Sequence, residues 1–486
     1  MTAQSIGWII VVILKKRGDL VIYSQQHTLK NQNKSDRSLP FEDRIGAQLP
    51  AWRNRIKSLL DQYGSYSIGE VTVSKVYGGM RGVFALATEI SHVDPSMGLL
   101  IRGYTIDELL ELLPKTENTA YPLLGGLYYL LMVDEFPTLE DALSVEAMWR
   151  ERQGIPGYVI DLLRTMPEAA HPMTLFSQAI LAMQPSSVAA QAYHQGISRY
   201  EYWRPMLEDA LNLTANLPMI AATIYNIKYR DGKIIEPDPT LDWSANFAHM
   251  IGKGSDGDYK ELCRLFMTLH ADQENGNASA HTSHLVGSTL SDLYLSCSAG
   301  LNALAGPLHG LASQETLRWL LAVQSRYGGL PSHEELEQFA IETLSEEKVI
   351  PGYGHGVLRR TDSRFTAQFR FAEHYLPEDS LFNLVKRVYE VMPGVLQNTG
   401  KINNPYPNVD AISATLQYYY GITQPEFCTV LFGTSRLLGL SAHAVWARAL
   451  GLSIERPRSL TTSLVEKMVM PTIQERSSVS SMAYRE

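Results

Sequence analysis

Residues 281–305 read HTSHLVGSTLSDLYLSCSAGLNALA, a stretch without proline in which Asp292 is the one acidic or basic residue apart from two histidines. Small residues recur along it, among them Gly287, Ser296 and Gly300. A helix that is apolar almost all round is buried, and small residues let a second helix approach closely. The stretch therefore predicts a buried helix, either in the core of one chain or at a two-fold interface between packed helices, and we favour the interface.

Helical patterns extend on both sides of this stretch. Residues 105–108 (TIDE) and 138–141 (TLED) are capping boxes ahead of apolar stripes, and 52–63 carries apolar residues at helical spacing. Further helical patterns lie near 158–166, 174–184, 205–229, 258–272, 333–344, 381–391 and 426–450. Strand-like alternation is confined to short pieces such as 71–76 (VTVSKV). The predicted fold class is therefore mainly α, with a few short strands.

The composition narrows the classes of function. The chain has 486 residues, of which 45% are hydrophobic, and a net charge of −9, so a globular protein with a sizeable core is expected. An acidic balance argues against a nucleic-acid-binding protein or a polybasic membrane protein, although a local arginine cluster can still bind a small anion. Cys263, Cys297 and Cys428 form no C-x-x-C pair, so neither a thiolate metal site nor a disulfide framework is predicted.

The amino-terminal segment is distinct from the rest. Residues 6–14 (IGWIIVVIL) form an apolar run that is shorter than the ~20 residues needed to span a bilayer, and its basic residues follow the run rather than precede it. Residues 27–40 are polar and typical of a loose tether. We expect residues 1–45 to be peripheral to function. The expected location is the cytoplasm, with the mitochondrial matrix as the alternative, and no membrane association is expected.

Three short turns hold an ionisable residue between glycines and prolines. They are 306–310 (GPLHG) with His309, 351–356 (PGYGHG) with His355, and 404–410 (NPYPNVD) with Asp410. Rigid turns of this kind place a side chain at a defined point, and two histidines with one aspartate are a reasonable acid/base set. The sequence has no H-E-x-x-H, G-x-S-x-G, P-loop or strand–GxGxxG–helix motif, which removes the basis for several other chemistries.

Arginines accompany these turns. Arg436 follows a glycine inside an apolar helical pattern, and an arginine in that setting needs an anionic partner. Two or three fixed guanidinium groups would match a dicarboxylate substrate.

The ordered motifs resemble the citrate synthase family in its long, eukaryotic, Si-face form. The resemblance covers roughly residues 65–470 and rests on YGGMRG, RGYTIDELLELLP, SAHTSHLVGSTLSDLYLS, GPLHG, VIPGYGHGVLRRTDSR, NPYPNVDA, LFGTSR and IERPRS. It implies an all-helical homodimer with a large domain (46–308 and 416–486) and a small domain (309–415). The two domains would close over oxaloacetate and acetyl-CoA to make citrate and CoA, the entry step of the tricarboxylic acid cycle, without metal or cofactor.

The resemblance also implies a role for each matching residue. Asp410 would remove a methyl proton from acetyl-CoA, His309 would hydrogen-bond the thioester carbonyl, and His355 would polarise and protonate the oxaloacetate carbonyl. If His309 is a neutral donor, burial or a helix N-terminus must lower its pKa. The implied carboxylate clamps are Arg364, Arg436 and Arg456, the last from the other subunit. The implied CoA contacts are Val349, Pro351, Gly352, Tyr353, Gly354, Arg81, Arg199 and Arg359.

One position departs from the family pattern. Gln273 stands where the family usually has a histidine that contacts oxaloacetate, and Asn275 replaces a nearby glycine. Glutamine can still donate a hydrogen bond but carries no charge. We therefore expect oxaloacetate to bind more weakly by about 1–2 kcal/mol, unless a neighbouring residue compensates.

Two other functions share these motifs. A 2-methylcitrate synthase has the same catalytic set but prefers propionyl-CoA, and an extra methylene is worth only about 1–3 kcal/mol in a pocket. A non-catalytic paralogue, acting as a dimeric scaffold or CoA-binding module, would have begun to lose its site at Gln273. The intact acid/base residues and arginines favour the enzyme.

Overall fold

The computed structural model describes residues 9–16 and 19–26 by their backbone, and residues 39–274, 276–400 and 404–470 in full. Most of the expected tether at 27–40 lies outside the described residues, as does Asn275. The contacts divide the chain into two compact units, Met1–Arg55 and Ile56–Glu486.

The first unit contains an antiparallel hairpin. Strand β1 (Ile9–Lys16) pairs with β2 (Asp19–Gln26), with Ile13 opposite Ile22. The apolar run therefore contributes its residues 9–14 to a strand. Helix α1 (Phe41–Tyr63) follows and includes the predicted helical stretch at 52–63.

The second unit is built mainly from helices, which confirms the predicted fold class. Its one sheet in the described residues has three short antiparallel strands, β3 (Ser91–Asp94), β4 (Gly98–Ile101) and β5 (Tyr104–Thr105). The helices are α2 (Val73–Tyr77), α3 (Ile106–Leu112), α4 (Leu124–Val133), α5 (Leu139–Glu151), α6 (Gly157–Thr165), α7 (Pro172–Ala182), α8 (Val188–His194), α9 (Trp203–Tyr229), α10 (Trp243–Ala248), α11 (Gly257–His270), α12 (Ala278–Ser288), α13 (Leu293–Leu304), α14 (Ala312–Tyr327), α15 (His333–Ser345), α16 (Ser363–Tyr375), α17 (Ser380–Asn398), α18 (Asp410–Tyr419) and α19 (Cys428–Leu450). A further helical run covers 462–470.

Both capping boxes predicted from the sequence are present. Thr105 accepts a hydrogen bond from the backbone of Glu108, whose side chain bonds back to Thr105, and Thr138 and Asp141 repeat the arrangement. Each box satisfies backbone N–H groups that would otherwise have no partner at the first turn of the helix. Helices α3 and α5 therefore begin where local sequence dictates.

The strand predicted at 71–76 is wrong. Thr72 instead caps the short helix α2 by accepting a hydrogen bond from the backbone of Lys75. Val71 and Val73 are 56% and 46% exposed, so these β-branched residues lack the sheet neighbours that favour an extended strand.

The single helix predicted over 281–305 is in fact a pair. Helix α12 ends at Ser288, Leu290 adopts a left-handed backbone conformation with φ of 68°, and Asp292 caps α13 by accepting from the backbone of Leu295. The close approach expected at small residues is present. A Cβ added to Gly300 would lie 3.0 Å from the Leu440 side chain of α19.

The helices form two groups of neighbours within the second unit. Helices α13 and α19 pack on each other and each also contacts α9 and α12, and α14–α18 make a second set of contacts. The large and small domains with boundaries at 309 and 415 stay a prediction. None of the helices in the described residues combines the length and apolarity that crossing a membrane requires.

Candidate active site

Backbone hydrogen bonds join the glycine-rich loop of His355 to the segment that leads into Asp410. The N–H of Gly354 donates to the carbonyl of Tyr406 (3.1 Å), and the N–H of Asn408 donates to the carbonyl of Gly352 (2.9 Å). The Asn408 amide also donates to the carbonyl of Gly354 (3.0 Å). These bonds bring together two of the three turns singled out in the sequence.

Gly352 is required where the two segments meet. Its φ of +77° is a conformation that glycine adopts freely. A Cβ at this position would lie 2.6 Å from the Cα of Ala411, the second residue of α18. The loop can therefore touch the start of α18 only because it carries no side chain there.

Asp410 is the first residue of α18 and is half-buried, with the Oδ1 of its carboxylate turned away from solvent. Its backbone N–H donates to the side-chain oxygen of Asn408 (2.9 Å), which fixes the start of the helix. Its Oδ1 is buried and has no hydrogen-bond partner among the described residues. Burial raises the pKa of Asp410 to about 6, against the opposing effect of Arg364. The group is thus ionised at neutral pH and a stronger base than an ordinary aspartate.

His309 faces the N-terminus of α12. The backbone N–H of Ser279 donates to Nε2 of His309 (3.2 Å), and the Ser279 hydroxyl oxygen lies 2.9 Å from the same nitrogen. Because Nε2 accepts, the ring hydrogen is assigned to Nδ1. Burial, followed by the positive charge of Arg436, lowers the pKa of His309 to about 4. The ring is therefore neutral at pH 7, as a neutral donor requires.

His355 is held in the other tautomer. Its Nδ1 accepts hydrogen bonds from the backbone N–H groups of Val357 (3.0 Å) and Leu358 (3.1 Å). The ring hydrogen is therefore assigned to Nε2. Burial, followed by the charge of Arg364, lowers the pKa of His355 to about 4. This ring is also a neutral donor at pH 7.

Arg364 is a buried and firmly oriented guanidinium group. It is 2% exposed, and its Nε and Nη2 donate to the two oxygens of Asp362 (3.1 and 2.7 Å). Its Nη1 donates to Oε1 of Gln273 (2.7 Å). Such a two-point bond to a carboxylate fixes the plane of the group.

Arg436 retains an open donor. It is 1% exposed on α19, and its Nε donates to the carbonyl of His270 (3.1 Å). Its Nη2 is buried with no hydrogen-bond partner among the described residues. Burial lowers the pKa of Arg436 to about 10, which still leaves it charged at neutral pH. A buried charge with an unused donor is suited to a ligand carboxylate.

The two arginines connect the acid/base residues electrostatically. Arg436 acts on both His309 and Asp410, and Arg364 acts on both His355 and Asp410. Five of the predicted residues, with Gln273 bonded to Arg364, therefore belong to one charged, largely buried site.

The remaining predicted residues lie elsewhere in the single chain. Arg456 and Arg81 are exposed, and no hydrogen bond or ion pair joins either to this site among the described residues. Arg199 donates to the carbonyl of Gly451, and Arg359 donates to the carbonyls of residues 357 and 358 (2.8 Å each). In the loop that the resemblance assigns to CoA, Val349 is 77% exposed. Within that loop Gly352 is buried, Pro351, Tyr353 and Gly354 are half-buried, and Tyr353 forms an isolated β-bridge with Pro407.

Two site residues were missed from the sequence. Asp362 is fully buried, caps α16 and orients Arg364. Asp362 stands two residues before Arg364 at the start of a helix, and this position could have identified it from the sequence as a helix cap beside the arginine. Ser279 lies in the first turn of α12, and only the folded chain shows that it faces His309.

Comparison with known proteins identifies the family of this chain. The family model for the C-terminal domain of citrate synthase matches residues 79–458. The chain belongs to the citrate synthase family. It is 49% identical over 430 residues to the probable mitochondrial citrate synthase of Glossina morsitans morsitans, covering 88% of this chain and 92% of that one.

Two further family members show how widely the likeness extends. Mitochondrial citrate synthase 4 of Arabidopsis thaliana is 44% identical over 450 residues, covering 92% of this chain and 95% of its own length. The crystal structure of citrate synthase from Pyrobaculum aerophilum superposes with a TM-score of 0.70 at 26% identity, covering 82% of this chain and 95% of that chain. The mainly helical fold is thus that of the citrate synthases.

Proposed function

We propose that this citrate synthase family member condenses acetyl-CoA, oxaloacetate and water to citrate and CoA. One observation carries the proposal. A buried carboxylate with an open oxygen, Asp410, shares its surroundings with two buried guanidinium groups, and these in turn act on two neutral histidines. This set can form a carbanion-like nucleophile and hold a dicarboxylate acceptor.

The first step is removal of a methyl proton from acetyl-CoA. Asp410 takes the proton, which its raised pKa favours. The electron pair moves toward the thioester oxygen, where Nδ1–H of His309 donates a hydrogen bond. A fixed donor in a site shielded from water stabilises such a developing charge far better than solvent does.

The second step joins the two substrates. The enolate carbon attacks the keto carbon of oxaloacetate, and the keto oxygen takes the proton from Nε2 of His355. The proton that Asp410 removed from the methyl group then returns to this ring, so that His355 is again neutral and Asp410 again ionised. Arg364 and Arg436 hold the carboxylates of oxaloacetate, and the amide nitrogen of Gln273 is free to donate a hydrogen bond. Water then hydrolyses the thioester, which releases citrate and CoA.

The proposed steps use protein side chains and water, so we propose no metal ion or cofactor. For CoA itself, the exposed part of the 349–355 loop would receive the adenine, with Arg81, Arg199 and Arg359 near the phosphates. These three arginines lie on the surface and are therefore accessible to a substrate as large as CoA.

We also propose that the chain works as a homodimer with Arg456 supplied by the partner. The observation in favour is apolar exposure at both ends of the second unit. Within 59–84, large apolar side chains are 41–75% exposed, and Ile454, Leu464 and Met468 are 51%, 46% and 65% exposed. Apolar segments of this size require a cover, and an exposed Arg456 can then reach a neighbouring site.

The proposed location is the mitochondrial matrix. The curated relatives described above are named mitochondrial citrate synthases. They do not support the expected cytoplasmic location, which we drop in favour of the alternative.

The deciding experiment follows the thiol of CoA released by the purified protein from acetyl-CoA. We expect release only when oxaloacetate is present. Propionyl-CoA is the parallel substrate, and a higher kcat/KM with it would indicate a 2-methylcitrate synthase. Absence of thiol release with both acyl-CoAs at saturating oxaloacetate would reject the enzyme and favour a scaffold.

A further inference from the structure

One face of α19 holds the turn that carries Gln273. Arg436 and Gly439 bond the carbonyl oxygens of residues 270–271 (3.1 and 3.0 Å), and His443 pairs with the carboxylate of Asp272, Nε2 to Oδ2, at 3.0 Å. These α19 positions are one turn apart. The helix therefore fixes both a clamp arginine and the backbone beside the acceptor pocket.

Asp272 places a negative charge next to that clamp. The residue is fully buried, and its Oδ2 also accepts from the hydroxyl of Ser91 (2.6 Å). Although burial alone would raise its pKa, His443 and then Arg436 hold the pKa of Asp272 below its usual value. An ionised Asp272 attracts Arg436 and thus competes with a substrate carboxylate for it.

His443 has the surroundings of a cation. Its Nε2 faces the Asp272 carboxylate, and its Nδ1 lies 3.1 Å from the hydroxyl oxygen of Thr88. Both ring nitrogens thus lie beside oxygen atoms that can accept a hydrogen bond, whereas His309 and His355 each accept a backbone N–H. Although burial alone would lower it, Asp272 raises the pKa of His443.

We propose that positively charged His443 is a positioning residue for oxaloacetate, because its pairing with Asp272 frees Arg436 for the substrate carboxylate. Without this charge, Asp272 acts on Arg436 with no positive charge of His443 to offset it, which makes the pocket more negative. The diacid then binds more weakly while the acid/base chemistry is unaltered. This inference rests on the proposed function and deepens it.

A metal ion is the competing occupant. Three residues, Glu274, His284 and His443, each offer one possible ligand atom, and these three atoms lie within 4.8 Å of one another. His443 is already engaged with Asp272, however, and the charge of Arg436 interacts with Glu274 while that of Arg102 acts on the His443 ring. Those positive charges oppose a bound cation and are consistent with an ion-pair network.

The test compares four chains: wild type, His443→Gln, Gln273→His and the double variant. Glutamine at 443 can keep a hydrogen bond to Asp272 without the charge. The measurements are the oxaloacetate Kd by calorimetry without acetyl-CoA, and then KM and kcat. His374→Gln, an exposed histidine on α16, is the matched control, and each chain is also assayed after EDTA treatment.

We expect His443→Gln to raise the oxaloacetate Kd and KM roughly fivefold to tenfold, the scale of one charge removed from a partly desolvated site, with kcat changed less than about twofold. The double variant shows the same rise in Kd relative to Gln273→His, since the lost charge acts on Asp272 and Arg436 and not on residue 273. The control His374→Gln leaves Kd, KM and kcat unchanged.

An unchanged Kd in His443→Gln, or a fall in kcat alone, would overturn the proposal, and sensitivity to EDTA would replace it with a metal site. If His443→Gln does not fold, Thr88→Val removes the second acceptor of the charged ring and must raise Kd in the same direction. An inactive wild type that still binds oxaloacetate would count against the proposed reaction rather than against this pair.

Discussion

Nη1 of Arg364 donates a 2.7 Å hydrogen bond to Oε1 of Gln273. A guanidinium group only donates, so this contact fixes which way the amide points: the oxygen faces Arg364 and the NH₂ group remains for another acceptor. Gln273 is thereby a neutral, oriented donor beside the proposed position of the acceptor carboxylates. It cannot titrate, which distinguishes it from the histidine usual in the family.

The first prediction concerns this exchange. We expect Gln273→His to lower the oxaloacetate KM by about fivefold to thirtyfold, equivalent to about 1–2 kcal/mol, because a charge-assisted hydrogen bond replaces a neutral one. Steady-state kinetics at pH 6.5 measures the effect. Gln273→Met, of similar length but without donors, is the control and should raise KM. A KM that does not fall in the histidine variant would contradict the prediction.

The second prediction sets activity against stability at Asp410. Asp410→Asn removes the base, so kcat should fall at least about a thousandfold. Above pH 6 the same change should stabilise the fold by about 3 kcal/mol, because the buried carboxylate has a pKa of about 6 against 3.8 unfolded. The sign of the stability change and the pH range in which it acts follow from this pKa shift. The cost of ionising Asp410 is complete above pH 6, shrinks as the pH falls, and is gone below 3.8.

Urea unfolding at pH 7.5 and at pH 4 measures this gain. It should be present at the higher pH and nearly absent at the lower one. The exposed Asp107→Asn variant, on α3, is the control and should show no gain at either pH. A destabilised Asp410→Asn protein at pH 7.5 would mean that the carboxylate has a structural partner.

The third prediction is the acid limb of the pH profile. With His309 and His355 neutral down to about pH 4, the group that titrates first on acidification is Asp410, near pH 6. We expect kcat/KM to fall tenfold per pH unit below pH 6 with a single apparent pKa. A fall in kcat/KM that begins only near pH 4 would show that Asp410 is not desolvated. A fall steeper than tenfold per pH unit would show that a histidine must also be deprotonated.

Local signals predicted the helices well, because caps and apolar stripes act within a few residues. The boxes at Thr105 and Thr138 are examples. Capping residues also explain the two wrong predictions of secondary structure. Thr72 caps α2 where a strand was expected, and Asp292 caps α13 where one long helix was expected. In both places a capping residue outweighed the apolar pattern around it.

The site was predictable only in pieces. The turns of His309, His355 and Asp410 were visible as glycine- and proline-rich segments, but their roles came from the family resemblance. Their convergence depends on bonds between distant segments, such as Gly354 to Tyr406. His443 escaped notice because its partner Asp272 is 171 residues away in the chain.

The fourth prediction tests how the 349–358 loop supports Asp410. Gly352→Ala places a Cβ 2.6 Å from the Cα of Ala411 at a φ of +77°, so the loop and the start of α18 must separate. We expect kcat to fall at least about tenfold, since a small displacement of a base is costly. Gly356→Ala is the matched control in the same loop, because its added Cβ meets open space. Equal activity of the two variants would contradict a positioning role for the contact.

The fifth prediction addresses Arg456, which is exposed in the single chain. If the partner supplies this residue, Arg456→Ala and Asp410→Asn each disable both sites of their own homodimers. A mixed dimer then has one intact site, with Asp410 from one chain and Arg456 from the other. Unfolding and refolding an equal mixture should therefore restore about a quarter of wild-type thiol release, because half of the dimers are mixed and each has one working site of two. Refolding either variant alone is the control. Recovery no greater than the sum of the separately refolded variants would show that Arg456 serves the site of its own chain or none.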